Sequence, residues 1–266
     1  MKAMPPLGMG TYRLTDELAY QTVLTGLELG YRHIDTAQLY DNEEAVGRAI
    51  AASPVAREDI FLTTKIWFDK LGEADFLRSV EESLKKLQVP NVDLLLIHWP
   101  SPDKLPMEEY LGRLAKAQAN GLTQHIGVSN FTNAQLDQAI SILGEGNIFT
   151  NQVEVQPYLQ NRKVVEHCQA RKIAVTGYMP LAVGKVMNDP VLTAIAETHS
   201  ASIAQVVLAW ELQQGITTIP SSSNPANLAS NLKATTLTLS EEEIAKIATL
   251  ERGERIASPD FAPEWD

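Results

Sequence analysis

Apolar residues recur along the chain in two alternating rhythms. Short apolar runs such as Val92-Asp93-Leu94-Leu95-Leu96-Ile97 and Ile60-Phe61-Leu62-Thr63-Thr64-Lys65 read as parallel strands covered on both faces. Between them lie segments of helical period, the clearest carrying Phe76, Leu77, Val80, Leu84 and Leu87 on one face. The other strands predicted are 7–12, 32–35, 123–128, 149–153, 174–178 and 217–220. Side-chain chemistry marks the boundaries. Thr15 and Asn42 open helices, Gly30 ends one, Pro54 and Pro90 stop others, and Ser202/Gln205 and Ser240/Glu243 form capping boxes. On the helix before Pro90, Glu81 to Lys85 and Glu82 to Lys86 have the spacing of i,i+4 ion pairs. Strand then helix, repeated about eight times, is the spacing of a (β/α)8 TIM barrel of about 250 residues. A single α/β domain over residues 1–266 is therefore expected.

Composition narrows the partners. Hydrophobic residues at 44% and charged residues at 21% suffice for a full core. Lys+Arg number 22 against Asp+Glu 33, and the net charge of -11 argues against nucleic acid or an anionic membrane. No apolar run reaches membrane-spanning length and the N-terminus lacks a secretory apolar core, so a cytoplasmic protein is expected. Cys168, the only cysteine, excludes an internal disulfide and a cysteine-based metal cluster, and its place on a helix predicts a buried, inert thiol. Gly8-Met9-Gly10 lacks the third glycine of a dinucleotide fingerprint, and there is no Walker loop. Gly127-Val128-Ser129-Asn130-Phe131 carries Phe where a nucleophile elbow needs Gly. The five histidines show no metal-ligand spacing, so no metal site is expected.

Three strands end in polar groups. The second ends in Asp35 with Tyr40 in the following turn, the third in Lys65 and the fourth in His98. Each alone is more often a cap or a solvated charge. In a barrel, however, adjacent strands lie about 4.8 Å apart, so the four groups converge on one mouth. That set suits carbonyl reduction. The Lys65 ammonium is expected to pull the Tyr40 phenol below its ordinary ~10, Asp35 to hold Lys65, and neutral His98 to orient a carbonyl oxygen. Tyr40 then protonates that oxygen as a hydride reaches the carbon. Tyr12, Trp67 and Trp99 flank the same mouth and, with His98, form the expected substrate wall. Two rival readings are a Schiff-base aldolase using Lys65 and a protein that holds a dinucleotide without turnover.

The segments Asp35-Thr36-Ala37-Gln38-Leu39-Tyr40, Leu96-Ile97-His98-Trp99-Pro100, Ile126-Gly127-Val128-Ser129-Asn130-Phe131, Asn151-Gln152-Val153-Glu154 and Ile219-Pro220-Ser221-Ser222 together resemble the aldo-keto reductase family. Within it the chain is most similar to the short bacterial 2,5-diketo-D-gluconate reductases of the B type. The resemblance spans nearly the whole chain. It implies NADPH-dependent reduction of aldehydes and ketones, such as keto-sugar acids or α-dicarbonyls like methylglyoxal, with NADH use also plausible, by a monomer. It makes Asp35, Tyr40, Lys65 and His98 the catalytic tetrad. It assigns Ser129, Asn130 and Gln152 to the nicotinamide carboxamide and Tyr178 to stacking on the ring. Gly10, Thr11, Asp35, Leu181, Ser222 and Asn231 match further cofactor contacts. Where many NADPH-using members carry Lys and Arg toward the 2′-phosphate, this chain has Ser221 and Asn227. The short N-terminus leaves little room for the hairpin that closes the barrel floor. The segment from His98 to Glu108 is shorter than in mammalian relatives, implying a more open cleft.

Overall fold

The computed structural model describes residues 2–102 and 105–266. Eight strands, β1 (Met9–Gly10), β2 (His33–Asp35), β3 (Phe61–Ile66), β4 (Val92–Ile97), β5 (Thr123–Ser129), β6 (Thr150–Glu154), β7 (Ala174–Tyr178) and β8 (Ile216–Thr218), lie side by side in chain order. Each pairs in parallel with the next. The two edges meet at Leu7 and Thr218, where Gly8 N donates to Thr218 O at 2.9 Å and Thr218 N to Pro6 O at 2.9 Å. This is the expected (β/α)8 barrel.

The helices α1 (Asp16–Leu29), α2 (Glu43–Ala52), α3 (Phe76–Leu87), α4 (Met107–Ala119), α5 (Asn133–Leu143) and α6 (Arg162–Ala170) follow the first six strands in turn. α7 (Pro190–Thr198) and α8 (Ile203–Gln213) both lie between β7 and β8, and α9 (Pro225–Leu232) and α10 (Glu241–Ala248) follow β8. Strand alternation sorts the core. Ile34, Leu62, Leu95, Ile97, Ile126 and Val128 face the helix layer, whereas Phe61, Leu94 and Leu96 form a separate cluster inside the barrel. Inward positions toward the C-terminal strand ends are left to polar side chains, among them Asp35, Lys65, Ser129 and Gln152.

Residues near the start of the described chain lie across the barrel floor. Met4 packs on Phe61, Leu94 and Leu96. Lys2 Nζ donates to Ile60 O at 2.7 Å and to the buried Asp93 carboxylate at 2.9 Å, which Arg57 also meets at 2.8 Å.

Several local expectations change in the fold. Thr15 sits at the N-cap of α1 without a side-chain capping bond. Asn42 occupies the N-cap of α2, but its amide reaches back to Thr11 O and Leu14 O at 2.9 and 2.8 Å and ties the first two strand loops together. On α3, Arg78 takes Asp75 and Glu82 as partners, and neither Glu81–Lys85 nor Glu82–Lys86 closes to an ion pair among the described residues. Both capping boxes form, at α8 and α10. Cys168 is buried, and burial pushes its thiol up to about 11. Asp103 and Lys104, part of the short segment after His98, lie outside the described residues. No single described helix is long and apolar enough to cross a membrane. No cluster of metal-ligating side chains occurs among the described residues.

Candidate active site

Register brings the predicted groups together. Asp35 pairs with Thr63, Lys65 with Leu96, and the His98 N–H reaches Ile66 O at 3.1 Å. Each polar end is thereby raised to one level of the inner wall. Tyr40 comes from a 3-10 turn, Gln38–Tyr40, that β2 feeds, and Asp41 reverses the chain after it with φ 52°.

Lys65 is fully buried and spends its three donors fully. It forms an ion pair with the Asp35 carboxylate, donates to Thr36 O at 2.9 Å, and reaches the Tyr40 hydroxyl at 3.2 Å. The second Asp35 oxygen accepts from Gln152 Nε2 at 2.7 Å. Both ions of this buried pair are thus satisfied, the condition under which such a pair persists. The His98 ring stands edge-on to Tyr40 and to Trp67, with centroids 5.7 and 5.2 Å apart.

Electrostatics confirm one part of the expectation and reverse another. Burial disfavours charge on Lys65, but Asp35 and then Tyr40 outweigh it and hold its pKa above the ordinary 10.5. Burial and then the Lys65 charge push His98 well below 6.5, so it is neutral. Tyr40, however, is raised above 10, not lowered. Burial dominates, the Lys65 charge opposes it, and the Asp35 carboxylate cancels part of that opposition. The phenol keeps its proton across the neutral range.

The other predicted groups occupy a cleft of about 900 Å³ over this mouth. Ser129 pairs in register with Gln152, and its hydroxyl donates to Gln152 O at 2.8 Å. Asn130, at φ 63°, donates to His98 O at 3.0 Å and accepts from the Tyr178 hydroxyl at 2.7 Å. Trp67, Trp99 and Phe261 wall the cleft beyond β3 and β4. Tyr12, Leu181, Ser221, Ser222 and Asn227 wall it toward β1, β7 and β8. Gly10 also lines the cleft, and a Cβ on it would lie 2.9 Å from Ile219 O, so glycine lets β1 approach the segment after β8. Thr11 and Asn231 are buried behind the lining, and Thr11 Oγ1 donates to Asp35 O at 3.1 Å.

Three residues that bear on the cleft escaped sequence reasoning. Arg13, at φ 66°, is the single Lys or Arg among the described lining residues, with its guanidinium 5.2 Å from the Tyr12 ring centroid. Gln38 accepts from Trp67 N at 3.0 Å and donates to Ser79 O and Ser83 Oγ, so it sets the height of Trp67. It lay inside the Asp35–Tyr40 motif and could have been singled out. Phe261 carried no such signal, because nothing in the spacing links it to Trp67.

Comparison with known proteins identifies the family. The sequence profile described as "Aldo/keto reductase family" matches residues 6–252. The chain is 50% identical to methylglyoxal reductase DkgB of Escherichia coli O157:H7 over 266 residues, covering 99% of this chain and all of that one. It is 38% identical to glyoxal reductase of Bacillus subtilis strain 168, covering 97% and 93%. A crystal structure of a candidate 2,5-diketo-D-gluconic acid reductase B superposes with a TM-score of 0.96 at 41% identity, covering 99% of this chain and 94% of that one. The chain belongs to the aldo/keto reductase family and is an oxidoreductase acting on carbonyl groups.

Proposed function

We propose that the protein reduces small carbonyl compounds with NADPH, α-dicarbonyls such as methylglyoxal foremost, and that Tyr40 delivers the proton. The observation that carries this reading is the buried Asp35–Lys65–Tyr40 chain of contacts beside a neutral His98. A reduced nicotinamide dinucleotide supplies the hydride. The residues fit such a ligand. Ser129, Asn130 and Gln152 present amide and hydroxyl groups, Tyr178 offers a ring, and Arg13 gives a cation for phosphate. NADH is a weaker alternative, used to the extent that Ser221 and Asn227 fail to recognise a 2′-phosphate.

A carbonyl oxygen placed between Tyr40 and His98 meets two neutral groups able to donate, and Tyr40 still carries its proton. Proton transfer leaves a phenolate 3.2 Å from the Lys65 ammonium, which stabilises it as it forms. Asp35 keeps Lys65 charged and in place for that moment. The substrate end is aromatic, and no Lys or Arg lines it among the described residues, which favours neutral carbonyls over keto-sugar acids such as 2,5-diketo-D-gluconate. From the family resemblance we further propose a cytoplasmic monomer. Consumption of NADPH with methylglyoxal tests the reading. Borohydride trapping of a carbonyl compound on Lys65, without NADPH consumption, would replace it with the aldolase.

A further inference from the structure

Glu154 ends β6, in register with Tyr178, and is fully buried. No Lys or Arg forms an ion pair with it among the described residues, and no step of carbonyl reduction uses it. Its carboxylate faces backbone amides from the far end of the chain. Ile256 N meets its two oxygens at 3.0 and 3.1 Å, and Ala257 N meets Oε2 at 2.8 Å. Gln156 Nε2 extends the contact to Glu254 O at 2.8 Å. A carboxylate buried without a direct ion-pair partner persists where hydrogen bonds replace its water; here the C-terminal segment supplies them, and the Arg255 guanidinium on the same segment is the cation whose charge reaches it.

What that segment does next matters for the cleft. Residues 254–266 form neither helix nor strand. Beyond Ala257 the chain carries Phe261 to within 5.8 Å of Trp67, 4.8 Å of Phe68 and 5.4 Å of Trp99, measured between ring centroids. It is held again where Trp265 stacks under the Arg255 guanidinium at 3.8 Å and meets Trp99 at 6.0 Å. Phe261 therefore hangs between fastenings at both ends: before it, Glu154 holds residues 256 and 257 and Glu254 N reaches Tyr158 O at 3.0 Å; after it, Asp266 accepts from Asn133 N at 2.9 Å.

We propose that Glu154 is a positioning residue, whose carboxylate fastens the C-terminal segment so that Phe261 completes the aromatic wall for substrates large enough to reach it. This rests on the cleft being a carbonyl-reducing site. Glu154→Gln keeps the size of the side chain but sets an amide N–H₂ group against the amide donors it should accept from. With this variant, KM for 4-nitrobenzaldehyde should rise about two- to tenfold, the effect of one aromatic contact. KM for methylglyoxal, too small to reach Phe261, and kcat for both should stay within about twofold of wild type. Phe261→Ala should show the same split, and the double variant should be no worse than Phe261→Ala alone. A purely structural Glu154 would lower Tm and leave both KM values alone. That result, or fold-changes that multiply in the double variant, overturns the proposal.

One further measurement needs no variant. In the wild-type protein the Ile256 and Ala257 amides should be protected from hydrogen exchange, and exchange at the rate of a free peptide overturns the proposal even if Glu154→Gln does not fold. If wild type reduces neither aldehyde, the reading of the site fails. If it reduces both and Glu154→Gln shows no split by substrate size, only the positioning role fails.

Discussion

Replacing Lys65 with Met keeps most of the side-chain volume and deletes the cation that faces both Asp35 and Tyr40. Asp35, 1% exposed, is then left with the Gln152 amide and no counter-charge. Breaking a buried pair from one side costs about 3–5 kcal/mol. For a chain of this size, each ~1 kcal/mol moves Tm by roughly 2–4 °C, so a fall of about 6–20 °C is expected. Adding Asp35→Asn removes the stranded charge and should return more than half of that loss. Turnover should not return with it. Without the ammonium, burial acts unopposed on Tyr40, raises its pKa further and makes it a weaker acid, so kcat should remain down about 10²-fold or more. Thermal unfolding and steady-state NADPH oxidation, run on wild type, Lys65→Met and the double variant, separate the two effects. A single variant as stable as wild type, or a double variant that regains turnover, would refute this view of Lys65.

The cofactor end offers a second test. The Asn227 side chain donates to Ser222 Oγ at 3.3 Å, and a neutral hydrogen bond contributes ~0.5–1.5 kcal/mol against ~1.5–3 for a charged donor. Asn227→Arg should raise the kcat/KM preference for NADPH over NADH about tenfold, and an unchanged ratio would mean that another cation, such as Arg13, already holds the 2′-phosphate. Glu211 on α8 is fully buried, no cation pairs with it among the described residues, and burial, opposed in part by the Thr218 hydroxyl, pushes its pKa well above 4.5. Below pH 4.5 both states hold its proton; as pH rises, the unfolded chain releases it first, so stability declines. Glu211→Gln should therefore raise Tm near pH ~8 and leave it nearly unchanged near pH ~4, and an equal effect at both would show that ionisation is not involved.

Much of the site was legible because alternation is rigid. Once β2, β3 and β4 are recognised, Asp35, Lys65 and His98 must fall at the same ends of neighbouring strands, and a slip of one residue in a boundary does not move them across the sheet. Slips of this kind occurred. β6 ends at Glu154 and not at Val153, and β3 runs on to Ile66, because parallel pairing with the next strand decides the last residue. What stayed hidden depends on burial or on distant contacts. The rise in the Tyr40 pKa follows from desolvation that no spacing reveals, and Phe261 reaches Trp67 through a segment without periodic structure. Asn42 has the residue type of a helix cap, but the oxygen that would cap accepts from the Thr36 hydroxyl at 2.8 Å, while its NH2 group donates to the Thr11 and Leu14 carbonyls.

Proton delivery by Tyr40 is the central claim, and single-turnover reduction of methylglyoxal with NADPH already bound tests it most directly. Tyr40→Phe keeps the ring between Tyr12 and His98 and removes only the hydroxyl that Lys65 reaches at 3.2 Å. The single-turnover rate should fall at least about 10²-fold while the NADPH Kd stays within about twofold. The wild-type rate should be level through neutral pH and decline only on the alkaline side, where a phenol held above 10 gives up its proton. A Tyr40→Phe variant that transfers hydride at a near wild-type rate, with the same pH profile, would contradict the assignment.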